Sequence, residues 1–229
     1  MNPAISSDEE TTASWDAYWS ASKKRRLYDF VAEIYRKFLI RPNLNRFVKN
    51  YLPDNADTLH AGSGGGQVDR EIRSLVRITA LDISPKALAV YRRNNGDGVR
   101  VILGSIKEIP LPASSMDGIY NLGVMEHFTE GEILQILSEF RRVLRADGKL
   151  ILFWPPEFGL SVLFFKALKW IFAHLLGKPD VEFHPPEICR LRSKAHGEAI
   201  LREAGFRLIN YSFGPRDLFT YSILVAAPA

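Results

Sequence analysis

The stretch Thr58-Leu59-His60-Ala61-Gly62-Ser63-Gly64-Gly65-Gly66-Gln67-Val68-Asp69 runs from an apolar lead-in through four glycines into a helical pattern. The order predicts a first β-strand, a tight turn and the N-terminus of a helix. Glycine suits such a turn because it accepts positive φ and has no Cβ to keep a ligand away from the backbone. By itself the stretch points to a nucleotide-like ligand and no further.

The next element narrows the choice. Arg77-Ile78-Thr79-Ala80-Leu81-Asp82 reads as a second strand ending in an acid, and Asp82 lies twenty positions after Gly62 (82 − 62). In strand–glycine loop–helix–strand units, an acid at that place reaches the two hydroxyls of a ribose. A carboxylate accepts both O–H bonds better than a neutral side chain does. A dinucleotide fingerprint counted from Gly62 needs glycine at its first, third and sixth positions. The chain has Gly62, Gly64 and Gln67, which weakens NAD as the ligand.

The spacing Gly62-x-Gly64-x-Gly66 resembles motif I of the class I S-adenosylmethionine-dependent methyltransferases, and the resemblance extends over roughly residues 45–229. Ile109-Pro110-Leu111-Pro112 through Met116-Asp117-Gly118 is similar to the run before strand four in the UbiE-like, small-molecule branch. Val124-Met125-Glu126-His127-Phe128, the Arg142 to Leu150 stretch and Leu201-Arg202-Glu203-Ala204-Gly205-Phe206 match further family wording.

The resemblance implies S-adenosylmethionine as cofactor and S-adenosylhomocysteine as product. It carries Gly62, Ser63 and Gly64 to the methionine end, Asp82 to the ribose, and Ile83, Ser105 and Ile106 to the adenine. Asn121, Leu122 and Gly123 close the pocket from strand four. His127 becomes the candidate base or acceptor-orienting group, although a helix-entry histidine bonded to backbone fits the same position. The chain departs from the family at His60, on the cofactor side, where an acid is usual, and at Ser105, where an aspartate is frequent.

Around this motif the pattern is an α/β alternation. Ser84-Pro85 starts a helix to about Asn94, since serine caps and proline suits a first turn. Val99–Leu103 is the third strand and Asp117 opens the fourth. Thr129–Leu144 is a helix with one apolar side. Arg145–Lys149 is its stop and turn, and Leu150–Trp154 is the fifth strand. Ser193–Ala204 is a helix, followed by strands at Phe206–Phe213 and Phe219–Ala226. The expected fold is a Rossmann-like, doubly wound seven-stranded sheet, mostly parallel with one antiparallel strand.

Residues 1–53 form a tail and helical cap, with Pro42 separating two helices. Residues 54–229 form the cofactor-binding domain, with a helical insert at 157–190. Trp15, Tyr18 and Trp19 read as packing aromatics, while the resemblance implies N-terminal helices that cover the cofactor pocket or build the acceptor site; Lys23–Arg26 reads as a solvated helix face rather than a nucleic-acid patch. Leu160 to Leu176 is apolar but for Lys166, Lys169 and His174, and is too short and charged for a membrane span. A buried lid, a helix lying on a membrane through 158–176, and a dimer contact all fit it. His174 and His184 are weaker acceptor-side candidates.

The 229-residue chain is long enough for a sizeable core. Its charge of +4 is compatible with an acidic ligand or an anionic surface and demonstrates neither. The single cysteine, Cys189, precludes an intrachain disulfide and fits a reducing, cytoplasmic setting. No apolar leader follows the polar N-terminus, and no metal ligand set is assigned.

The leading expectation is methyl transfer to a small-molecule or lipid-like acceptor. The alternatives are a cyclopropane-synthase-like lipid enzyme and a non-catalytic protein of the same fold. Nucleic acid is disfavoured, because Asn121-Leu122-Gly123-Val124 stands where base-amine methylases carry an Asn/Asp-Pro-Pro-Tyr motif.

Overall fold

The two apolar-ended segments around the glycines become neighbouring parallel strands. In the computed structural model, which describes residues 12, 15, 16, 19, 33–160, 162 and 187–229, β1 (Asp57–Ala61) pairs in parallel with β2 (Arg77–Asp82). The sheet continues through β3 (Arg100–Leu103), β4 (Met116–Leu122), β5 (Leu144–Trp154), β6 (Phe206–Ser212) and β7 (Ser222–Pro228). Its order is β3-β2-β1-β4-β5-β7-β6. Only β7 runs antiparallel to both its neighbours, as expected from two late strands close together in sequence.

Side-chain alternation along the strands splits the core into two faces. On one face Leu150, Leu152 and Trp154 of β5 join Leu59 and Ala61 of β1. They pack under helix α3 (Glu130–Val143) through Ile133, Ile136, Leu137 and Phe140. On the other face Ile151 and Phe153 join Tyr120 and Val225 under helix α1 (Arg41–Tyr51), which contributes Leu44, Phe47 and Val48. Helix α1 thus completes the sheet's own core.

Helix α2 (Pro85–Asn95) begins as expected: Ser84 is the N-cap, its hydroxyl accepting from the Ala87 amide at 3.1 Å. Helix α3 is opened by a capping box between Thr129 and Glu132. Helix α4 (Lys194–Glu203) is capped by Ser193.

Three sequence expectations are corrected. No α-helix follows the glycine loop; the chain turns through residues 67–71 and makes only a short 3-10 turn at Ile72–Ser74. Gly62, Gly64 and Gly66 all have positive φ, and Asp69 turns its side chain into the interior, so the chain is drawn inward before a helix can start. Pro42 does not separate two helices. A π-helical stretch, Arg36–Ile40, runs directly into α1, where Pro42 sits in the first turn, and the Asn43 side-chain amide donates to the Leu39 carbonyl at 2.9 Å. Finally, the turn expected at Arg145–Lys149 is a bulge inside β5. Met116 pairs with Leu144 and Gly118 with Lys149, while Arg145 is bonded to Asp117.

Leu160 and Val162 apart, the apolar segment to Leu176 lies outside the described residues, with Tyr18, the basic run Lys23–Arg26, His174 and His184. Among the described residues no helix is long and apolar enough to cross a membrane.

Candidate functional site

The chain winds outward from β1 to β2 and β3, then returns across β1 to lay β4 on its other side. At such a reversal the loops leaving the two central strands part and open a crevice beyond their carboxyl ends. The loops that part here are Gly62–Gly66 and Asn121–Val124.

The two are fitted to each other. A Cβ on Gly62, whose φ is +69°, would lie 2.8 Å from Val124 Cγ2. The Asn121 side-chain amide donates to the Ala61 carbonyl at 2.7 Å. Gly123 has φ +65°, and its amide donates to the Phe153 carbonyl at 3.0 Å. Leu122 is half-buried beside it.

Asp82 ends β2 at the mouth of the glycine loop. Its Oδ2 accepts from the Gly64 amide at 2.7 Å and its Oδ1 from the Ser84 amide at 2.9 Å. Burial pushes its pKa up, opposed by those two amides. Each oxygen keeps lone-pair capacity for a further donor. Ile83 follows, half-buried. The Gly104 amide donates to the Asp82 backbone carbonyl at 3.0 Å, so Ser105 and Ile106 follow directly from the neighbouring strand end. The Ser105 hydroxyl accepts from the Lys107 amide at 3.2 Å, a local turn bond, and Ile106 is buried in the core.

His60 does not line the crevice. It is 2% exposed, and its Nδ1 donates to Asp69 Oδ2 at 2.7 Å. The same oxygen accepts from the Tyr91 hydroxyl at 2.7 Å, while Asp69 Oδ1 accepts from the Tyr120 hydroxyl at 2.8 Å. The His60 and Tyr120 rings lie 4.4 Å apart. Burial and the neighbouring Asp69 both raise the two phenol pKa values. The carboxylate beneath the loop is therefore Asp69, nine residues after His60.

Sequence reasoning missed this buried cluster, because Asp69, Tyr91 and Tyr120 belong to three different elements. It also passed over Glu126. That side chain is 5% exposed and sits in a 3-10 turn, Met125–His127. Burial raises its pKa to about 8. The sequence signal was the Glu126-His127 pair itself, read for its histidine. His127 is half-buried, with the Trp15 ring edge-on to it at 5.2 Å.

Trp15, Asp16 and Trp19 reach the loops around the crevice. Asp16 accepts from the Ser84 hydroxyl, and a Cβ on Gly64 would lie 2.9 Å from Trp19 Cζ2. The buried polar atoms without a hydrogen-bond partner include Ser63 Oγ and Asn121 Oδ1 on the two parted loops and Glu126 Oε2 in the 3-10 turn that follows the second. Buried polar atoms are seldom left unpaired, so three on one crevice mark a place that a polar ligand completes.

The family model described as a methyltransferase domain matches residues 59–152. This covers β1 to β5, with the glycine loop, Asp82 and the β4 end. Over that stretch the chain is similar to the S-adenosylmethionine-dependent methyltransferases. It is 33% identical over 106 residues to a probable S-adenosylmethionine-dependent methyltransferase of Mycobacterium tuberculosis, a match covering 46% of this chain and 38% of that protein. It is 35% identical over 94 residues to the malonyl-[acyl-carrier protein] O-methyltransferase of Serratia marcescens, covering 41% of this chain and 36% of that one. The matched stretch thus spans well under half of those relatives' own length.

The whole fold is shared more widely. The Burkholderia thailandensis 1,6-didemethyltoxoflavin-N1-methyltransferase, solved with its acceptor and S-adenosylhomocysteine, superposes with a TM-score of 0.68 at 17% identity, covering 100% of this chain and 93% of its own. The magnesium protoporphyrin IX methyltransferase of Synechocystis gives 0.68 at 15% identity, covering 97% of this chain and 100% of its own.

Proposed function

We propose that the chain transfers a methyl group from S-adenosylmethionine to a small-molecule or lipid-like acceptor. One observation carries the reading: at the sheet's reversal point the Asp82 carboxylate is held against the glycine loop by the Gly64 and Ser84 amides, and the two loops that part there carry the buried, unpaired Ser63 Oγ and Asn121 Oδ1. A ribose offers two hydroxyls to Asp82, and an amino-acid end offers polar groups to Ser63 and Asn121. The residues fit the cofactor.

Bound S-adenosylmethionine supplies an electrophilic methyl group on a sulfonium, open to in-line displacement by a lone pair about 3 Å away. Every other task falls to the chain. Asp82 anchors the ribose. Gly62 and Gly64 keep the loop free of Cβ atoms where the methionine end lies. Ile83, Ser105 and Ile106 take the adenine, and Asn121, Leu122 and Gly123 form the wall toward the acceptor. Trp15 and Trp19 cover the loop and exclude water. His127, held edge-on by Trp15, borders the acceptor and orients it. His60 acts indirectly, by fixing Asp69 under the loop.

The similar proteins act, by name, on 1,6-didemethyltoxoflavin, magnesium protoporphyrin IX and malonyl-[acyl-carrier protein]. Two of these acceptors are small molecules, which supports a small-molecule acceptor without choosing one.

The test is calorimetric titration with S-adenosylmethionine and S-adenosylhomocysteine, wild type beside Asp82→Ala. Micromolar binding weakened tenfold or more, about 1.4 kcal/mol, is expected. Wild-type protein that binds neither ligand overturns the reading.

A further inference from the structure

Beside the β4 loop the cofactor residues leave the buried Glu126 unused. Glu126 follows Gly123 by three residues and returns its carboxyl group toward it. A Cβ built on Gly123 would lie 3.3 Å from Glu126 Oε1 and 3.2 Å from the Tyr221 hydroxyl. Two polar groups from separate parts of the chain therefore converge on one backbone position at the crevice wall.

Both are held from behind. The Tyr221 ring lies 6.1 Å from Phe153 and 6.4 Å from Tyr35, and the Tyr35 hydroxyl donates to Thr220 Oγ1 at 2.7 Å. The Glu126 backbone carbonyl accepts from the Ile188 amide at 2.6 Å and the Cys189 amide at 3.0 Å. The 3-10 turn is thus clamped, yet Glu126 Oε2 is buried without a partner. A clamped, unpartnered acid inside a binding crevice is costly unless a ligand completes it.

The surroundings define what that ligand carries. Arg190, a cation acting on Glu126, is already ion-paired with Glu187. Among the described residues no lysine or arginine is hydrogen-bonded to Glu126. Among the described residues, an anionic head group placed here would meet a carboxyl and a phenol and no cation hydrogen-bonded to either. A protonated carboxyl offers one O–H donor and one carbonyl acceptor. That pair is complementary to a hydroxyl, a phenol, an amide or a ring N–H, and the aromatic neighbours Trp15, His127 and Tyr221 suit a flat one.

We propose that Glu126 and Tyr221 form the polar end of the methyl-acceptor site and select an uncharged oxygen- or nitrogen-bearing head group over an anionic one. This rests on the methyltransferase reading above, and the test separates the two. Protein saturated with S-adenosylhomocysteine is titrated with 4-fluorophenol and with 4-fluorobenzoate at pH 7, followed by fluorine NMR line broadening. The variants are Glu126→Leu, which removes all hydrogen bonding at similar volume, and Glu126→Gln, which keeps a donor and an acceptor.

Wild type is expected to bind the phenol at least tenfold more tightly than the benzoate. Glu126→Gln retains phenol binding within about threefold, and Glu126→Leu loses tenfold or more with S-adenosylhomocysteine affinity and melting temperature retained. A role in folding alone would not separate phenol from benzoate. Equal binding of the two probes, no phenol binding by wild type, or unchanged phenol binding by Glu126→Leu each overturns the proposal while leaving the methyltransferase reading intact. Failure of S-adenosylhomocysteine itself to bind overturns that reading and the proposal with it.

Discussion

Tyr120→Phe isolates one hydrogen bond in the cluster beneath the glycine loop. The ring is fully buried, so phenylalanine keeps its packing and its contact with His60. Only the O–H donated to Asp69 Oδ1 at 2.8 Å is lost. That oxygen has no other bonding partner in the cluster, since Tyr91 and His60 both bond Oδ2. A bond to a carboxylate contributes about 1.5–3 kcal/mol, and leaving the acceptor buried and unpaired places this one near the top, about 2–3 kcal/mol. The folding equilibrium constant then falls roughly 30- to 150-fold. In urea, with a slope of about 2–3 kcal/mol/M, the midpoint drops by about 1 M.

Tyr91→Phe is the internal control. Its hydroxyl shares Oδ2 with His60, so its loss leaves that oxygen bonded and costs about 1.5 kcal/mol or less. Both phenol pKa values are raised in the fold, so both hydroxyls stay protonated and the two losses remain constant from pH 6 to 9. Tyr120→Phe within about 0.5 kcal/mol of wild type, or Tyr91→Phe costing more than Tyr120→Phe, would refute the assigned bonding.

Two further outcomes follow from single positions. Gly66→Ala puts a Cβ 2.3 Å from the Tyr91 ring at φ +62°, whereas Gly96→Ala, at φ +87°, meets nothing within 4 Å; thermal unfolding should show about 3 kcal/mol lost at Gly66 against about 1 kcal/mol of backbone strain at Gly96, and equal losses would contradict the packing. Glu126 is raised to about 8 by burial and by Glu187, against Arg190, with the Tyr221 hydroxyl also near the Gly123 position it faces. The folded state therefore holds its proton more tightly than the unfolded chain, so its stabilising contribution is full below the ordinary glutamate range and fades as pH rises to about 8. Relative to wild type, Glu126→Gln should gain stability across that window, by an amount on the order of a few kcal/mol, and parallel urea midpoints from pH 5 to 8 would contradict it.

What could be read from the chain alone was whatever depends on neighbours in sequence. The Gly62–Gly66 loop, the strand-ending Asp82, the Ser84-Pro85 and Thr129 helix starts and the late strand pair are local patterns, and they carried the sheet, its single antiparallel strand and the cofactor class. Their physical causes, turn chemistry, capping and side-chain periodicity, act over a few residues. Where a local rule failed, a longer-range demand overrode it. The helix after the glycine loop gave way to the inward pull of Asp69 toward Tyr91 and Tyr120. Pro42 stayed within helical backbone because a π-helical turn preceded it, and the Asp147-Gly148 turn was absorbed into β5 against Asp117.

The tertiary structure alone decided the chemistry around the pocket. His60, set where the family carries an acid, proved to be a buried partner of Asp69 rather than a wall of the crevice. Glu126, marked in sequence by its pairing with His127 but not by its burial, emerged as a buried carboxyl with an unpaired oxygen. Trp15 and Trp19 became a cover over the loop. Each depends on burial and on contacts between residues distant in sequence, because a side chain's charge state and unspent hydrogen bonds are properties of its folded surroundings.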